Sequence, residues 1–469
     1  MHSRWYKEAV IYSLDVDTFK DGNGDGIGDF PGLTRSCRYL SSLGINCLWL
    51  LPFYPSPNRD NGYDVMDYYD VDPRLGTLGD FVEFMAEADK RKMRVMVDLV
   101  LNHTSDAHPW FREACQSRAS PFHDFYVWRY DEPPDTSNEV IFPPEQKGIW
   151  TYRKEVNGWY LHRFYSHQPD LNIENPKVRD EMKKIIAFWL KLGVAGFRVD
   201  AVPFLVELRN IRNDRARHEL NYEFLREFRD YLSWIKSDAI MLAEANVGRE
   251  EQIKYFGDGD RMHMVLNFLV NQQIFLAIAK RSPEPLREAL EQMPEIPDHA
   301  QWGMFLRNHD ELSLDRLSDE EREFCFEQFA PEKTMRIFNR GVRRRLAPIL
   351  GGDRQKILFA YSLLFSLPGS PVLWYGEEIG MGDDLDLPGR FSVRTPMQWS
   401  SEVNAGFSSA QEKNLVRPVV SRSSHGFRQV NVENQERDPQ SLLSAIQQMI
   451  RVRHHHPEFG CGTFQLRKT

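Results

Sequence analysis

Gly196-Phe197-Arg198-Val199-Asp200-Ala201-Val202 is the stretch on which the fold turns. It is too short for a helix and apolar without clean alternation, as a strand covered on both faces must be. Two charged residues, Arg198 and Asp200, sit two positions apart near its end, so their side chains point the same way from a strand. Seven similar runs occur along the chain: residues 9–14, 47–51, 95–101, 240–245, 263–268, 304–306 and 371–375. The segments between them carry helix signals. In residues 77–90, Thr77 and Asp80 form a capping-box pair, and Phe81, Phe84, Met85 and Ala88 fall on one face. In residues 180–192 the stripe is Met182, Ile185, Ile186 and Trp189. Eight buried strands alternating with helices predict the α/β class and a (β/α)₈ TIM barrel rather than an open sheet.

The spacing is uneven. Residues 1–101 and 173–457 read as the barrel. Residues 102–172, rich in aromatics, Pro, Asp and His, read as an inserted small subdomain with short strands near 126–129 and 159–164. Residues 315–351 read as a helical insertion before the eighth strand, 400–440 as polar loops, and 458–469 as the start of a C-terminal segment.

The chain has 469 residues, 41% of them hydrophobic, enough for a large core. Its net charge of −9 argues against nucleic acid or an anionic membrane as partner. The basic run Arg340, Arg343, Arg344 and Arg345 follows the acidic residues 319–323 and reads as a solvated, salt-bridged helix face. Five scattered cysteines without paired spacing fit reduced thiols and no zinc site. No N-terminal apolar segment resembles a signal peptide, so a cytoplasmic location is expected.

Polar residues at the C-terminal ends of barrel strands converge on the mouth, where this fold keeps its active sites. Here they are Tyr63 and Asp64 after the second strand, Asp98, Asn102 and His103 at the third, Arg198 and Asp200 on the fourth, Glu244 and Asn246 at the fifth, and residues 307–311 at the seventh. Glycoside chemistry needs one ionised carboxylate to attack the anomeric carbon and one protonated carboxyl for the leaving oxygen. Arg198 is expected to hold Asp200 ionised; burial and repulsion from Asp200 are expected to raise Glu244 into the acid role. A structural salt-bridge cluster at the barrel mouth is the competing reading, and the number of charged strand ends disfavours it.

Five segments then resemble glycoside hydrolase family 13, the α-amylase family, in the family's order: DLVLNH (98–103), QPDLN (168–172), GFRVDAV (196–202), EAN (244–246) and RNHD (307–310). The resemblance implies Asp200 as nucleophile, Glu244 as general acid/base and Asp310 as the carboxylate that stabilises the transition state through sugar hydroxyls. It also implies His103, Arg198 and His309 in the same subsite, with Tyr63 stacking on the sugar. Residues 5–12, PFYPSPNRDNGYDVMD (52–67), 363–382 and RTPMQW (394–399) resemble the trehalose synthase and oligo-1,6-glucosidase subgroup. There Asp64 and Arg394 would close the far end of the pocket and favour maltose or trehalose over starch. The expected activity is a maltose α-D-glucosyltransferase that interconverts those two sugars; a hydrolytic α-glucosidase is the alternative, and a non-catalytic sugar-binding relative the third. Residues 13–17, 204–219 and 267–272 depart from the subgroup where a second sugar would sit. The family's usual C-terminal β-sandwich finds no counterpart in the sequence.

Asp21, Asn23, Asp25, Ile27 and Asp29 supply oxygens at alternate positions, like the first half of a calcium-binding loop, although Gly32 stands where the closing Glu would be. An Asx-turn loop is the competing reading. The resemblance implies a structural Ca²⁺ or Mg²⁺ there, a second cation at Asn102 and Asp170, and no organic cofactor. His454, His455 and His456 are adjacent on a predicted helix, point in different directions and read as a surface helix end.

Overall fold

The computed structural model describes residues 4–208 and 219–467. Eight parallel strands close into a barrel in sequential order: Ile11–Leu14, Cys47–Leu50, Arg94–Leu99, Gly196–Val199, Ile240–Ala243, Met264–Leu266, Gln301–Phe305 and Ser370–Trp374. Both faces of these strands are covered. One set of side chains, including Leu48, Val97, Phe197, Val199 and Val265, packs outward against the helices. The alternate set, including Ile11, Trp49, Met96, Ile240, Leu242 and Met264, fills the barrel interior. That double burial is why no apolar/polar alternation marks the strands in the sequence. Along the third and fourth strands the inward positions turn polar at the C-terminal end, and the register sets Asp98 beside Arg198.

The helix Leu78–Lys90 starts on the capping box: Thr77 and Asp80 each accept from the other's backbone N–H, a motif worth about 1 kcal/mol. It buries Phe81, Phe84 and Ala88. The helix Pro176–Lys191 begins four residues earlier than its apolar stripe suggests, because Asn175 caps it and Pro176 occupies the first turn. Residues 102–172 carry a three-stranded antiparallel sheet with Gly158–Leu161 between Trp128–Arg129 and Trp150–Arg153. An isolated bridge between His103 and Asp170 ties this unit to the barrel mouth.

Two expectations need correction. The 315–351 insertion is not simply helical: besides the helix Asp319–Phe329 it contributes Arg336–Ile337 and Gly341–Val342 to a small antiparallel sheet with Leu312–Ser313. The arginine run is likewise no solvated helix face. Arg345 is fully buried, with Glu377 at 3.2 Å; Arg344 pairs with Asp383 at 3.3 Å; and Arg343 donates to the Leu387 carbonyl. Their partners lie 32 to 44 residues downstream, so local charge patterning pointed to the wrong ones. Histidines 454–456 end the helix Leu442–His455 at the surface. Among the described residues, no helix is long and apolar enough to cross a membrane.

Candidate active site

Arg198 organises the barrel mouth. It is 1% exposed. Its Nη1 donates to Asp98 Oδ1 at 2.6 Å and to Asp200 Oδ1 at 2.7 Å, and its Nη2 lies 2.6 Å from Glu244 Oε2. The guanidinium also lies 5.2 Å from the Trp49 ring centre, and Trp49 Nε1 donates to Asp98 Oδ2 at 2.9 Å. Asp200 and Glu244 therefore occupy the two arms of one planar fork. Retaining glycosidases hold their two carboxyls only about 5–5.5 Å apart, against about 6.5–9.5 Å in inverting enzymes. Bridging by a single guanidinium fits the shorter spacing.

Burial sets the protonation of this group. Asp200 is raised to about 6: burial raises it, Arg198 opposes, and the charges of Asp98 and Asp310 add to the rise. Arg198 thus does not lower Asp200 as a neighbouring cation was expected to, although a carboxyl near 6 is still mostly ionised at pH 7. One guanidinium is shared among three carboxylates, Asp98, Asp200 and Glu244, too little to offset the desolvation of Asp200. Glu244 is raised further, to about 7, by burial against the pull of Arg198, with Asp200 and Asp310 repelling its charge. The order suits the roles, with the lower-pKa group as nucleophile and the higher as acid.

Asp310 behaves oppositely. Burial would raise it, but the guanidinium groups of Arg390, Arg394 and Arg198 hold it well below the usual carboxylate range. Arg390 Nη1 and Arg394 Nη2 each lie 2.9 Å from Asp310 Oδ1. Burial lowers His309 well below its usual value and His103 to about 4, so both imidazoles are neutral at pH 7. His309 Nε2 lies 2.9 Å from the Tyr63 hydroxyl, and the two rings stack at 5.6 Å.

These groups line a cavity of about 510 Å³ whose walls include Tyr63, His103, Asp200, Glu244, His309 and Asp310. Phe142 and Phe164 from the inserted subdomain, with Phe204 and Phe268, make its apolar sides. Three residues expected at the pocket lie outside its wall: Arg198 sits beneath Asp200 and Glu244, and Asp64 and Arg394 are turned away. Asp64 is fully buried and turned back, accepting from Ser56 Oγ at 2.9 Å and from the backbone of Arg59 and Asp60. Arg394 holds Asp310 and the His309 carbonyl from behind, outside the cavity wall.

The wall position belongs to Asp60 instead. Tyr63 N donates to Asp60 O at 3.0 Å, and Asn61 and Gly62 between them have φ of 51° and 88°. This is the signature of an Asn-Gly turn of type I′. A Cβ on Gly62 would lie 2.5 Å from the Pro52 carbonyl oxygen, so only glycine fits. The turn presents both its ends, Asp60 and Tyr63, to the cavity. Asn-Gly was the signal in the sequence that could have found Asp60. No comparable signal marks Arg390, which reaches the cavity from beyond the eighth strand, or Phe142 and Phe164, which reach it from the inserted subdomain.

Of the segments that depart from the subgroup, residues 209–218 lie outside the described residues. Phe204 and Glu207, just before them, line the cavity. Gln272 donates to Asp315 Oδ1 at 3.1 Å and Asn246 to the same oxygen at 2.9 Å; Asn246 and Asp315 face the outer cavity.

In the 21–29 loop Asp21 accepts from the N–H groups of Asn23, Gly24 and Gly26, and Asp25 from that of Ile27. Asp29 caps the helix Phe30–Leu43. Asp21, Asn23 and Asp25 remain a hard-oxygen set on one tight loop, whereas Asp29 is committed to the helix. Asn102 Nδ2 lies 3.2 Å from Asp170 Oδ1, so this pair is brought together. Among the described residues, no three His, Cys, Asp or Glu side chains converge as a ready metal cage.

The alpha-amylase catalytic-domain model matches residues 11–342 and 327–462. The chain is 45% identical to the trehalose synthase/amylase TreS of Mycolicibacterium smegmatis, over 99% of this chain and 78% of that one. It is 43% identical to the trehalose synthase of Pimelobacter sp., over 98% and 82%. The crystal structure of the alpha-glucosyl transfer enzyme XgtA superposes with a TM-score of 0.82 at 29% identity, covering 100% of this chain and 87% of that one. Strand order, mouth chemistry and these likenesses agree, and the chain belongs to the α-amylase family of glycoside hydrolases and transglucosidases.

Proposed function

We propose that the protein is a retaining α-glucosyltransferase that interconverts maltose and trehalose. The observation that carries this reading is the single buried guanidinium of Arg198 bridging, at 2.7 and 2.6 Å, Asp200 and Glu244, which both face a phenylalanine-walled cavity. Asp200 attacks the anomeric carbon while Glu244 gives its proton to the glycosidic oxygen, releasing glucose and leaving a glucosyl ester on Asp200. The freed glucose turns; Glu244 takes the proton from its anomeric hydroxyl, that oxygen attacks the ester, and Asp200 leaves as carboxylate. Asp310, kept ionised by Arg390 and Arg394, accepts hydrogen bonds from sugar hydroxyls. Neutral His103 and His309 provide uncharged partners at the same subsite. Water in place of glucose gives hydrolysis, so transfer depends on the apolar walls keeping water out. The names of the two relatives, trehalose synthase/amylase and trehalose synthase, support glucosyl transfer, the first with hydrolysis beside it.

Incubation with maltose tests the reading. Trehalose is expected as the main product, with free glucose a minor one. Glucose alone would replace the reading with hydrolytic α-glucosidase activity. The five free cysteines fit a reducing, cytoplasmic setting.

The 21–29 loop is proposed as a structural Ca²⁺ or Mg²⁺ site held by Asp21, Asn23, Asp25 and the Ile27 carbonyl, with no part in the chemistry. Chelation should lower Tm by a few degrees and calcium should restore it, and Asp21→Ala should abolish that response. A Tm indifferent to chelator would leave the loop held by its Asx turns alone.

A further inference from the structure

Arg417 comes from the polar stretch 400–440 and is outside the cavity wall, yet it is only 6% exposed. Around it lie Asp15 and Asp17, just past the first barrel strand, and Asn61, each 4% exposed. Arg417 Nη1 donates to Asp17 Oδ1 at 3.3 Å and Nη2 to Asp17 Oδ2 at 3.1 Å, while Asp15 Oδ2 is 3.7 Å away. Asp17, bound through both oxygens, supplies the countercharge that a buried guanidinium needs, with Asp15 beside it. The remaining bonds reach residues that stand directly behind two parts of the cavity wall. Nη2 donates to Asn61 Oδ1, and Asn61 Nδ2 donates to Asp15 Oδ2 at 2.8 Å. Nη1 donates to the Arg394 carbonyl at 2.8 Å. Asn61 is a corner of the turn whose two ends are Asp60 and Tyr63. Arg394 is the residue that grips Asp310.

We propose that Arg417 is a positioning residue for glucoside turnover: one buried fork sets the Asp60–Tyr63 turn and the Arg394–Asp310 pair at a common spacing, so that both walls close on the same sugar. The inference rests on α-glucoside turnover at Asp200. A planar fork suits the task, because four acceptors in different directions need several N–H groups held rigidly. Misplacing a substrate-gripping group by about 1 Å costs on the order of 100-fold in rate.

Two variants test it. Arg417→Lys keeps a positive charge beside Asp15 and Asp17, but one ammonium cannot also span Asn61 and the Arg394 carbonyl. Asn61→Gly keeps the arginine and the turn, since glycine accepts a positive φ, and removes only the side-chain link. With maltose, each is expected to lose about 10- to 100-fold, falling on kcat more than on KM, while Tm stays close to that of the unmodified protein. Wild-type kcat and KM in both variants, or losses that merely track the unfolded fraction measured by circular dichroism, would overturn the inference. A wild-type protein inert to every α-glucoside would overturn the functional reading and this inference with it; a working wild type with unaffected variants overturns this one alone.

Discussion

Asp200→Asn is expected to abolish turnover of maltose, with kcat falling on the order of 10⁴- to 10⁶-fold, the scale seen when an enzyme loses its nucleophile. The amide keeps the shape and the contact with Arg198 but cannot form the glucosyl ester. The fold should not suffer. Asp200 is a buried carboxylate raised to about 6, repelled by Asp98 and Asp310. A carboxyl whose pKa is raised on folding favours the native state while neutral and loses that advantage as pH climbs through the folded value. Removing the charge should therefore let Tm at pH 7 hold or rise. Loss of activity together with an intact or higher Tm separates a chemical role from a structural one, and residual activity within tenfold of wild type would remove Asp200 from the mechanism.

Glu244→Gln carries the second large effect. With Asp200 near 6 and Glu244 near 7, the competent form has Asp200 ionised and Glu244 protonated. The wild-type kcat/KM should form a narrow bell, falling below about pH 6 as the nucleophile protonates and above about pH 7 as the acid ionises. The two groups share Arg198, so the limbs belong to the pair. In Glu244→Gln the alkaline limb should vanish, and maltose turnover should drop about 10²- to 10⁴-fold. α-Glucosyl fluoride, whose leaving group needs no proton, should lose far less in its first step. An alkaline limb that survives the substitution would place the general acid elsewhere.

The barrel and its charged mouth were legible in the sequence for one physical reason. Buried strands are short apolar runs, and a charge at the end of such a run is costly unless it faces the mouth. Arg198, Asp200 and Glu244 stand out on that ground, and the structure brings them within reach of one another. The failures share a cause as well. Asp64 was placed in the pocket by resemblance alone, whereas the type I′ turn presents its two ends, Asp60 and Tyr63, and folds the next residue back. The arginines at 343–345 were matched to nearby acids, although Glu377 and Asp383 hold two of them across the fold. Arg198 was taken to lower Asp200 because the sequence shows a neighbouring charge but not three carboxylates sharing it. Arg417 has no local signature: its partners at residues 15, 17, 61 and 394 meet only when the barrel closes.

The most direct test of the account is mass spectrometry of Glu244→Gln mixed briefly with α-glucosyl fluoride. The variant should form the glucosyl ester readily and discharge it slowly, because the base that activates the acceptor is gone. The account predicts one added hexosyl unit, localised by digestion to the peptide that contains Asp200. A protein that turns over the fluoride with no covalent adduct, or an adduct on Asp98, Asp310 or any other carboxylate, would contradict it.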